Sequence, residues 1–301
     1  MQESFKAFRV HAGKEFERAG LESLTLNDLS PGGVVIKVEY SSVNYKDALA
    51  GTGQGKILRK SPLNGGIDLA GVVVSSESDQ FKAGQSVLVN GSGLSEVHDG
   101  GYSQYARVPA DWIVPIPIGL NAKTSMIIGT AGFTAALAIQ RLQDNHQTPD
   151  QGPILVTGAT GGVGSFAVQL LAQLGYEVIA MTRKQQQHDY LYSLGASTVV
   201  NSDVMKVDDA SMHKGLWGGA IDNLGGDTLA WLTKSVKPWG NIVSIGMASG
   251  VNVNTSAMPF ILRGISLLGV TSAACPQTLR KQVWQKSVSY THLTLPTICS
   301  V

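Results

Sequence analysis

A glycine-rich turn in the middle of the chain offers the clearest chemistry in this sequence. It contains Gly161, Gly162 and Gly164, and Val163 lies among them. Glycine has no Cβ and readily adopts positive φ, so a phosphate can approach the backbone closely there. The unpaired N–H groups at the start of a following helix would bind that phosphate. The turn therefore predicts a cradle for the phosphates of a dinucleotide.

The segments around the turn have the order of a βαβ unit. A short apolar run, Ile154–Val156, precedes the turn, and Glu177–Met181 is predicted to be the next strand. Between them, apolar residues recur at the spacing of one helical face: Val163, Phe166, Ala167, Leu170, Leu171 and Leu174. The pattern has one departure, since Ala159 stands where the usual fingerprint has its first glycine. A turn with no ligand is the alternative, and the βαβ context argues against it.

The residues that end the second strand bear on the choice of cofactor. Enzymes that use NAD place Asp or Glu about 20 residues after the glycine turn, where the acid binds the ribose hydroxyls. Here that place holds Thr182, Arg183 and Lys184. Two cations and a hydroxyl can bind a 2′-phosphate through charge-assisted hydrogen bonds. The segment therefore favours NADPH, and a solvated basic turn is the alternative.

Composition limits the classes of function. The chain has 301 residues, of which 43% are hydrophobic, so it can fill one large or two medium cores. Its formal net charge of +1 gives no electrostatic reason to expect nucleic acid or a membrane surface as partner. Two cysteines are too few for a disulfide scaffold or a four-cysteine zinc site. No apolar run approaches the roughly 20 residues of a membrane span, and the N-terminus lacks a signal pattern. We expect a cytoplasmic protein that acts on small molecules.

The order of predicted elements gives the fold class. The first third is rich in short strands, predicted at Val34–Tyr40, Leu69–Val74, Ser86–Val89 and Tyr102–Val108. Such strands, separated by glycine and proline, suggest a small barrel. A helical segment, Ala122–Leu142, is interrupted by four residues that include Gly129 and Gly132. After it, strands and helices alternate, with strands at Thr198–Val200, Gly219–Asp222 and Asn241–Ile245 and helices at Gln185–Leu194 and Asp227–Val236. This is the pattern of a doubly wound parallel sheet, an α/β fold.

The final residues do not continue the pattern. Residues 288–301 look like an in-frame translation of a transposase adapter used in sequencing libraries, so we interpret them as a non-native tail. A genuine, unusual tail is the alternative.

Four motifs carry a resemblance to a known family. They are Ser42–Ala48 (SVNYKDA), Gly66–Gly71 (GIDLAG), Met126–Phe133 (MIIGTAGF) and Met258–Arg263 (MPFILR). Together with the glycine turn, they resemble the zinc-independent medium-chain dehydrogenase/reductase superfamily and, within it, the acrylyl-CoA reductase and quinone oxidoreductase subfamily. The resemblance covers residues 4–287. It implies a GroES-like β-barrel domain over 1–122 and a Rossmann NADPH-binding domain over 123–287.

Zinc is not expected. Zinc-dependent relatives place a cysteine three residues before an aspartate and a His-Glu pair after the counterpart of Gly66. Here those places hold Asn44, before Asp47, and Ile67-Asp68. Neither Asn nor Ile supplies the thiolate or imidazole that a catalytic zinc prefers. The histidines at 11, 98, 146, 188 and 213 form no closely spaced ligand pair, and we interpret each as structural or exposed.

The resemblance also implies roles for individual residues. It places Asn44 and Tyr45 beside the nicotinamide, where a phenol can donate to a substrate oxygen or to the carboxamide. A buried structural tyrosine is the alternative. The counterparts of the following residues contact the cofactor in the family: Tyr45, Thr130, Gly161, Gly162, Val163, Gly164, Thr182, Arg183, Lys184, Asn223, Met247, Ile261 and Ser272. Asn223 departs from the threonine expected there, and both side chains can form hydrogen bonds.

The predicted function is NADPH-dependent, metal-free reduction of a small 2-enoyl-CoA such as acrylyl-CoA. A quinone or other activated-alkene reductase is the alternative enzyme, and a nucleotide-binding protein without catalysis is the alternative of another class. Lys56, Arg59 and Lys60 could contact the phosphates of CoA, or could form a solvated basic loop. The family further implies a homodimer through an edge strand near 266–270. It also implies a C-terminal segment that returns to the first domain, which we expect this chain to lack, with a loss of stability.

Overall fold

The computed structural model describes residues 4–205, 208 and 210–287. The interpretation of residues 288–301 as an adapter-derived tail lies outside the described residues. Within the described part the chain forms two compact units. The first contains the residues up to Phe133 together with those from Ser272 onward, and the second runs from Thr134 to Thr271.

The helices and strands have the following bounds. The strands are β1 (Phe5–Ala12), β2 (Phe16–Leu24), β3 (Val34–Tyr40), β4 (Leu63–Asn64), β5 (Asp68–Ser76), β6 (Ser86–Asn90), β7 (Tyr105–Val108), β8 (Val114–Pro115), β9 (Ile154–Val156), β10 (Val178–Met181), β11 (Thr198–Val200), β12 (Trp217–Asp222), β13 (Val236–Ser244) and β14 (Ser266–Gly269). The α-helices are α1 (Tyr45–Thr52), α2 (Ala122–Asp144), α3 (Gly162–Gln173), α4 (His188–Ser193), α5 (Gly226–Ser235), α6 (Met258–Arg263) and α7 (Gln277–Ser287).

The first unit contains two antiparallel sheets. Their strand orders are β2-β1-β4 and β7-β3-β5-β6-β8, and an isolated bridge between Ala7 and Ser103 joins them. The larger sheet buries a cluster that includes Ile36, Leu69 and Val89, as alternation along the strands predicts. Alternation along β3 would also bury Tyr40, at the end of the strand, but Tyr40 is 45% exposed. The register shifts between Val38 and Tyr40, and that irregularity turns the last side chain away from the core.

The return of the chain to the first unit starts earlier than expected. The second domain was predicted to extend over 123–287, but residues from Ser272 onward group with the first unit. The physical reason is that one face of α7 packs into the first unit. Arg280 and Trp284 are each at most 1% exposed, and both donate hydrogen bonds to Asn90, at the end of β6. The boundary near residue 122 also falls later, because α2 remains in the first unit as far as Phe133.

Helix α2 contains a break. Gly129 has φ 52° and ψ −159°, so the α-helical path is interrupted inside the predicted four-residue gap. By length and composition α2 could cross a membrane, which the absence of a long apolar run had not predicted. However, 72% of its most apolar stretch is buried within the protein, as expected for the core helix of a globular fold.

The second unit is a doubly wound sheet. Its six parallel strands have the order β11-β10-β9-β12-β13-β14, and the chain order reverses between β9 and β12. Ligands of such sheets bind at the carboxyl ends of the strands, at that reversal. Helix α3 is buried continuously from Gly164 to Leu171, more completely than one apolar face predicts. The α/β class and the Rossmann topology predicted from sequence are confirmed.

Candidate functional site

The glycine turn of the second unit joins β9 to α3. Gly158 adopts φ +57°, the left-handed conformation that glycine tolerates best. A Cβ on Gly164 would lie 2.4 Å from the Gly158 carbonyl oxygen, so only glycine lets α3 pack this closely on the turn. Gly161 and Gly162 are exposed at the start of α3, where the first-turn N–H groups are free of intrahelical partners. The turn therefore fits a phosphate.

Alanine at the first position of the fingerprint is compatible with this geometry. Ala159 is fully buried, and its backbone N–H donates to the Met181 carbonyl oxygen at 3.2 Å. Because the positive φ belongs to Gly158, the residue after it can carry a Cβ. The departure that the sequence shows at position 159 therefore does not disturb the turn.

A pocket of about 300 Å³ lies at the carboxyl ends of the strands of the second unit. Its lining contains Gly158, Thr160, Met181, Thr182, Arg183, Lys184, Ser202, Met205, Leu224, Thr228 and Ser249. Apolar groups from Met181, Met205 and Leu224 offer a surface for a flat ring, while Arg183 and Lys184 supply positive charge. The pocket thus combines the chemistry needed for an adenosine with that needed for an anion.

The basic strand end is held by its own backbone. The Thr182 N–H donates to the Val200 carbonyl oxygen at 3.0 Å, and the Thr182 hydroxyl accepts from the Lys184 N–H at 3.1 Å. Arg183 and Lys184 are exposed, and neither forms an ion pair with a described carboxylate. Both cations therefore remain available to an anionic ligand.

Behind the pocket, a buried acid ties two strand ends together. Asp222 is fully buried and accepts from the Thr157 hydroxyl at 2.7 Å and from the Gly225 N–H at 2.8 Å. Burial raises the pKa of the Asp222 carboxyl. Asn223, predicted to contact the cofactor, uses its amide to donate to the Thr157 carbonyl oxygen at 2.7 Å. This network fixes the ends of β9 and β12 on either side of the chain reversal.

A second polar centre lies in the first unit, around Asp68. This carboxylate is fully buried and has no described cation within ion-pair distance. The Ser42 N–H donates to it at 2.8 Å and the Ser42 hydroxyl at 2.6 Å, while Thr130 donates through its N–H at 3.1 Å and its hydroxyl at 2.8 Å. Since Thr130 follows the break at Gly129, the carboxylate also accepts from the start of the second part of α2.

Asn44 is held between two acids. Its amide nitrogen lies 3.1 Å from Asp47 Oδ2, from Asp68 Oδ2 and from the Ser42 hydroxyl. Both amide hydrogens are therefore engaged by neighbouring side chains, which fixes the orientation of Asn44 at the start of α1. Asp47 is buried and accepts also from the Ile67 N–H at 2.9 Å. Burial, and next the charge of Asp68, raise the pKa of the Asp47 carboxyl.

Tyr45, the first residue of α1, is 75% exposed, so the alternative of a buried structural tyrosine does not apply. The other predicted contacts are distributed between the units. In the second unit Met247 and Ile261 are exposed and lie outside the pocket lining. In the first unit Ser272 accepts from Arg280 at 3.1 Å through its carbonyl oxygen. The structure thus brings together Thr182, Arg183 and Lys184 in one pocket and Asn44 and Thr130 around Asp68.

Sequence reasoning missed several of these residues. Ser202 and Met205 follow β11, the neighbour of β10, so the rule that ligands bind at strand ends could have found them. Asp68 had no comparable signal. Its partners come from positions 42, 44 and 130, and only the fold brings them together.

The donor set in the first unit does not suit zinc. Among the described residues no group of three His, Cys, Asp or Glu side chains is placed to hold a metal ion. Asp47 and Asp68 are the carboxylates at the expected place, and N–H and hydroxyl donors occupy them. Three of the histidines have other partners: His11 pairs with Glu22, His213 pairs with Asp208, and His98 contacts the Pro31 carbonyl oxygen.

Comparison with known proteins identifies the family. Residues 30–118 match the alcohol dehydrogenase GroES-like domain, and residues 162–289 match the zinc-binding dehydrogenase family. The chain belongs to the medium-chain dehydrogenase/reductase superfamily that these two domains define. The resemblance stated from the sequence motifs is thereby confirmed.

Individual relatives show which proteins of this superfamily the chain is similar to in sequence and structure. The acrylyl-CoA reductase AcuI of Ruegeria pomeroyi is 43% identical over 89% of this chain and 82% of its own. YhfP of Bacillus subtilis, whose name as a quinone oxidoreductase is provisional, is 43% identical over 96% of this chain and 88% of its own. Its crystal structure with NAD superposes with a TM-score of 0.92. The structure of Escherichia coli YhdH with NADPH, 45% identical over 94% of this chain and 87% of that one, gives 0.91.

Proposed function

We propose that this protein reduces the carbon–carbon double bond of a small 2-enoyl-CoA, converting acrylyl-CoA to propionyl-CoA with NADPH. The observation that carries the proposal is the pocket of the second unit, in which Arg183 and Lys184 stand beside an apolar surface at the end of β10. When bound, NADPH supplies the hydride. AcuI of Ruegeria pomeroyi, which is 43% identical to this chain, is named an acrylyl-CoA reductase.

The preference for NADPH is proposed from the residues of this chain. The Bacillus subtilis relative was crystallised with NAD and the Escherichia coli relative with NADPH, so the branch alone does not decide the choice. An acid at the end of β10 would repel a 2′-phosphate, whereas two unpaired cations attract it. The N–H groups of the first turn of α3, from Gly162 to Gly164, would bind the pyrophosphate.

We assign the reacting centre to residues of the first unit. Reduction of an α,β-unsaturated thioester requires a donor for the enolate oxygen that develops as hydride reaches Cβ, and a proton for Cα. Tyr45 carries the exposed phenol that could donate. Asn44, whose two amide hydrogens are engaged by neighbouring side chains, holds the start of α1 in place. Thr130, Asn223, Met247, Ile261 and Ser272 remain proposed cofactor contacts.

A quinone reductase is the second candidate, favoured by the name of the Bacillus subtilis relative. The test is NADPH oxidation with acrylyl-CoA and with a small quinone, with propionyl-CoA identified by mass spectrometry. We expect kcat/KM with acrylyl-CoA to exceed that with the quinone, and Tyr45→Phe to reduce kcat with acrylyl-CoA. No turnover of acrylyl-CoA beside brisk reduction of the quinone would overturn the proposal. Failure to bind NADPH in a titration would favour a protein without catalysis.

We propose a homodimer formed through β14. This strand pairs with β13 on one side, and among the described residues its other edge has no partner strand. Leu267 on it is 40% exposed, and Leu262 nearby in the chain is 60% exposed. An open, apolar edge is suited to pairing with a second copy. Light scattering should give a dimer for the protein and a monomer for Leu267→Asp. We also propose a cytoplasmic location.

A further inference from the structure

A second pocket, of about 430 Å³, lies within the first unit, away from the Asp68 centre. It is bounded by the turn between β1 and β2, by the C-terminal end of α1 and by the segment that follows α1. Its lining consists of Ala12, Gly13, Lys14, Glu15, Phe16, Ala50, Gly53, Gly55, Lys56, Ile57 and Leu58. None of these residues takes part in the mechanism proposed above.

The charge around this pocket is unusual for the chain. Lys14 and Lys56 line it, and Arg59 and Lys60 follow directly in the same segment. All four side chains are exposed, and none forms an ion pair with a described carboxylate. Four unpaired cations close together in a protein with a net charge of only +1 form a concentrated positive patch.

Other cations of the first unit do form ion pairs with carboxylates. Lys46 pairs with Glu96, and Arg18 contacts Glu22 at 2.8 Å. Glu15 is the acid in the pocket lining, and the carboxylate of Glu17 lies beside it, 3.5 Å from where a Cβ on Gly13 would be. The lining thus keeps an excess of positive charge, as a site for a multiply charged anion requires.

The pocket also offers an apolar surface. Phe16 is 37% exposed, and Ile57 and Leu58 are half-buried in the lining. An aromatic ring and aliphatic side chains beside ammonium groups suit a purine that carries phosphates. A ligand of that chemistry is the 3′-phosphorylated ADP that forms the nucleotide end of coenzyme A.

The position of the pocket relative to Tyr45 suits the rest of CoA. Helix α1 begins at Tyr45, and its C-terminal end, with Ala50 and Gly53, forms part of the pocket wall. At a rise of 1.5 Å per residue, the two places are about 12 Å apart along the helix. The pantetheine arm of CoA is an extended chain of roughly four residue lengths, about 15 Å. It can therefore connect a nucleotide in the pocket with a thioester near Tyr45.

We infer that this pocket, with Lys14 and Lys56 as phosphate-binding residues, holds the 3′-phospho-ADP group of the acyl-CoA substrate. The inference rests on the proposed reduction of an enoyl-CoA and adds the site that separates CoA thioesters from quinones. Part of the free energy of binding of the substrate then comes from a group remote from the reacting bond. Since the contacts are ionic and exposed, binding of CoA thioesters should weaken as salt concentration rises.

The first test compares two thioesters of the same acid with NADPH. Acrylyl-CoA carries the nucleotide, and acrylyl-N-acetylcysteamine does not. In the double variant Lys14→Glu and Lys56→Glu, we expect the ratio of kcat/KM for acrylyl-CoA to that for the short thioester to fall about tenfold or more, mainly through KM. Lys82→Glu, an exposed lysine of the same unit outside the pocket, should leave the ratio as it is. An equal ratio in the double variant would overturn the inference.

The second test does not depend on turnover. Calorimetric titration with 3′-phosphoadenosine 5′-phosphate is carried out with saturating NADP⁺, which occupies the pocket beside Arg183. We expect binding to the protein and to Lys82→Glu, with an affinity at least about tenfold lower in the double variant. If acrylyl-CoA is not reduced but this binding depends on the lysines, the proposed reaction fails and the site stands. If acrylyl-CoA is reduced but binding is absent or equal in all variants, the site is wrong and the reaction stands.

Discussion

The pocket of the second unit contains exposed cations beside an apolar surface, whereas the polar centre of the first unit is a fully buried carboxylate surrounded by hydrogen-bond donors. Arg183 and Lys184 are exposed to solvent and are available to bind an anionic ligand. Asp68 brings its own negative charge, and Ser42, Asn44 and Thr130 satisfy it from within the protein. The pocket of the second unit is therefore suited to binding an anionic ligand, whereas the polar centre of the first unit is built around the carboxylate of Asp68.

This difference predicts how each region responds to substitution. Replacing an exposed side chain that binds only a ligand should change the free energy of unfolding little, because that side chain has no partner within the protein. Replacing a buried carboxylate that accepts from fixed donors should lower the free energy of unfolding, because those donors would be left without an acceptor. Substitution of Asp68 or its donors should therefore change stability, whereas substitution of the pocket cations Arg183 and Lys184 should change cofactor affinity.

The largest expected effect is that of Asp68→Asn. The new amide group would face the N–H groups of Ser42 and Thr130, which cannot turn away. We expect the free energy of unfolding to fall by about 3 kcal/mol. Denaturant unfolding measures it, and Asp79→Asn, an exposed aspartate of the same unit, is the control with a change near zero. A loss no greater than that of the control would show that the Asp68 centre is not structural.

Gly164→Ala tests the closest packing in the second unit. The added methyl group would meet the Gly158 carbonyl oxygen at 2.4 Å and the Ala159 Cα at 2.8 Å, so α3 must shift. We expect a loss of about 2 kcal/mol in stability, together with weaker NADPH binding. Gly161→Ala, in the same turn, places its Cβ 3.3 Å from that oxygen and should cost less. Equal losses in the two variants would contradict the close approach of α3 to the turn.

Arg183→Ala should change affinity rather than stability. The side chain is exposed and has no described carboxylate partner, so its removal leaves the fold intact. We expect the Kd of NADPH to rise about tenfold while that of NADH stays unchanged, because only NADPH carries the 2′-phosphate. Fluorescence titration measures both constants. Lys214→Ala removes an exposed cation of the same unit outside the pocket lining and is the control. A parallel rise for NADH would remove Arg183 from the phosphate site.

The same contrast explains what the sequence could predict. The turn around Gly161, the strand that ends at Met181 and the cations after it are contiguous in the chain, and their spacing alone indicates a βαβ unit. Parallel topology then places Thr182, Arg183 and Lys184 at the ligand edge of the sheet. These inferences need no knowledge of distant contacts. The Rossmann order of strands and the lining of the pocket by the basic strand end agree with them.

The first unit was less predictable because its contacts join distant parts of the chain. Asp68 contacts Thr130, 62 positions away, and the break at Gly129 directs that threonine's N–H group toward the acid. Nothing in the residues near Asp68 indicates this partner. Arg280 is similar, since it is buried and donates to the carbonyl oxygen of Asn90, 190 positions away. A pattern of polar and apolar residues cannot predict such pairs, so the early return of the chain was missed as well.

The smallest expected effect concerns Asp47, whose pKa is raised by burial and by the neighbouring charge of Asp68. A carboxyl whose pKa is higher in the folded state binds its proton more tightly there, so its ionisation costs stability as pH rises above the unfolded value. In Asp47→Asn this group no longer titrates. The stability of the protein relative to that variant should therefore decrease as pH rises from about 4 toward 7. Thermal unfolding across this range measures the difference, with Asp111→Asn, an exposed residue, as the control. A difference that stays constant or grows with pH would contradict the raised pKa of Asp47.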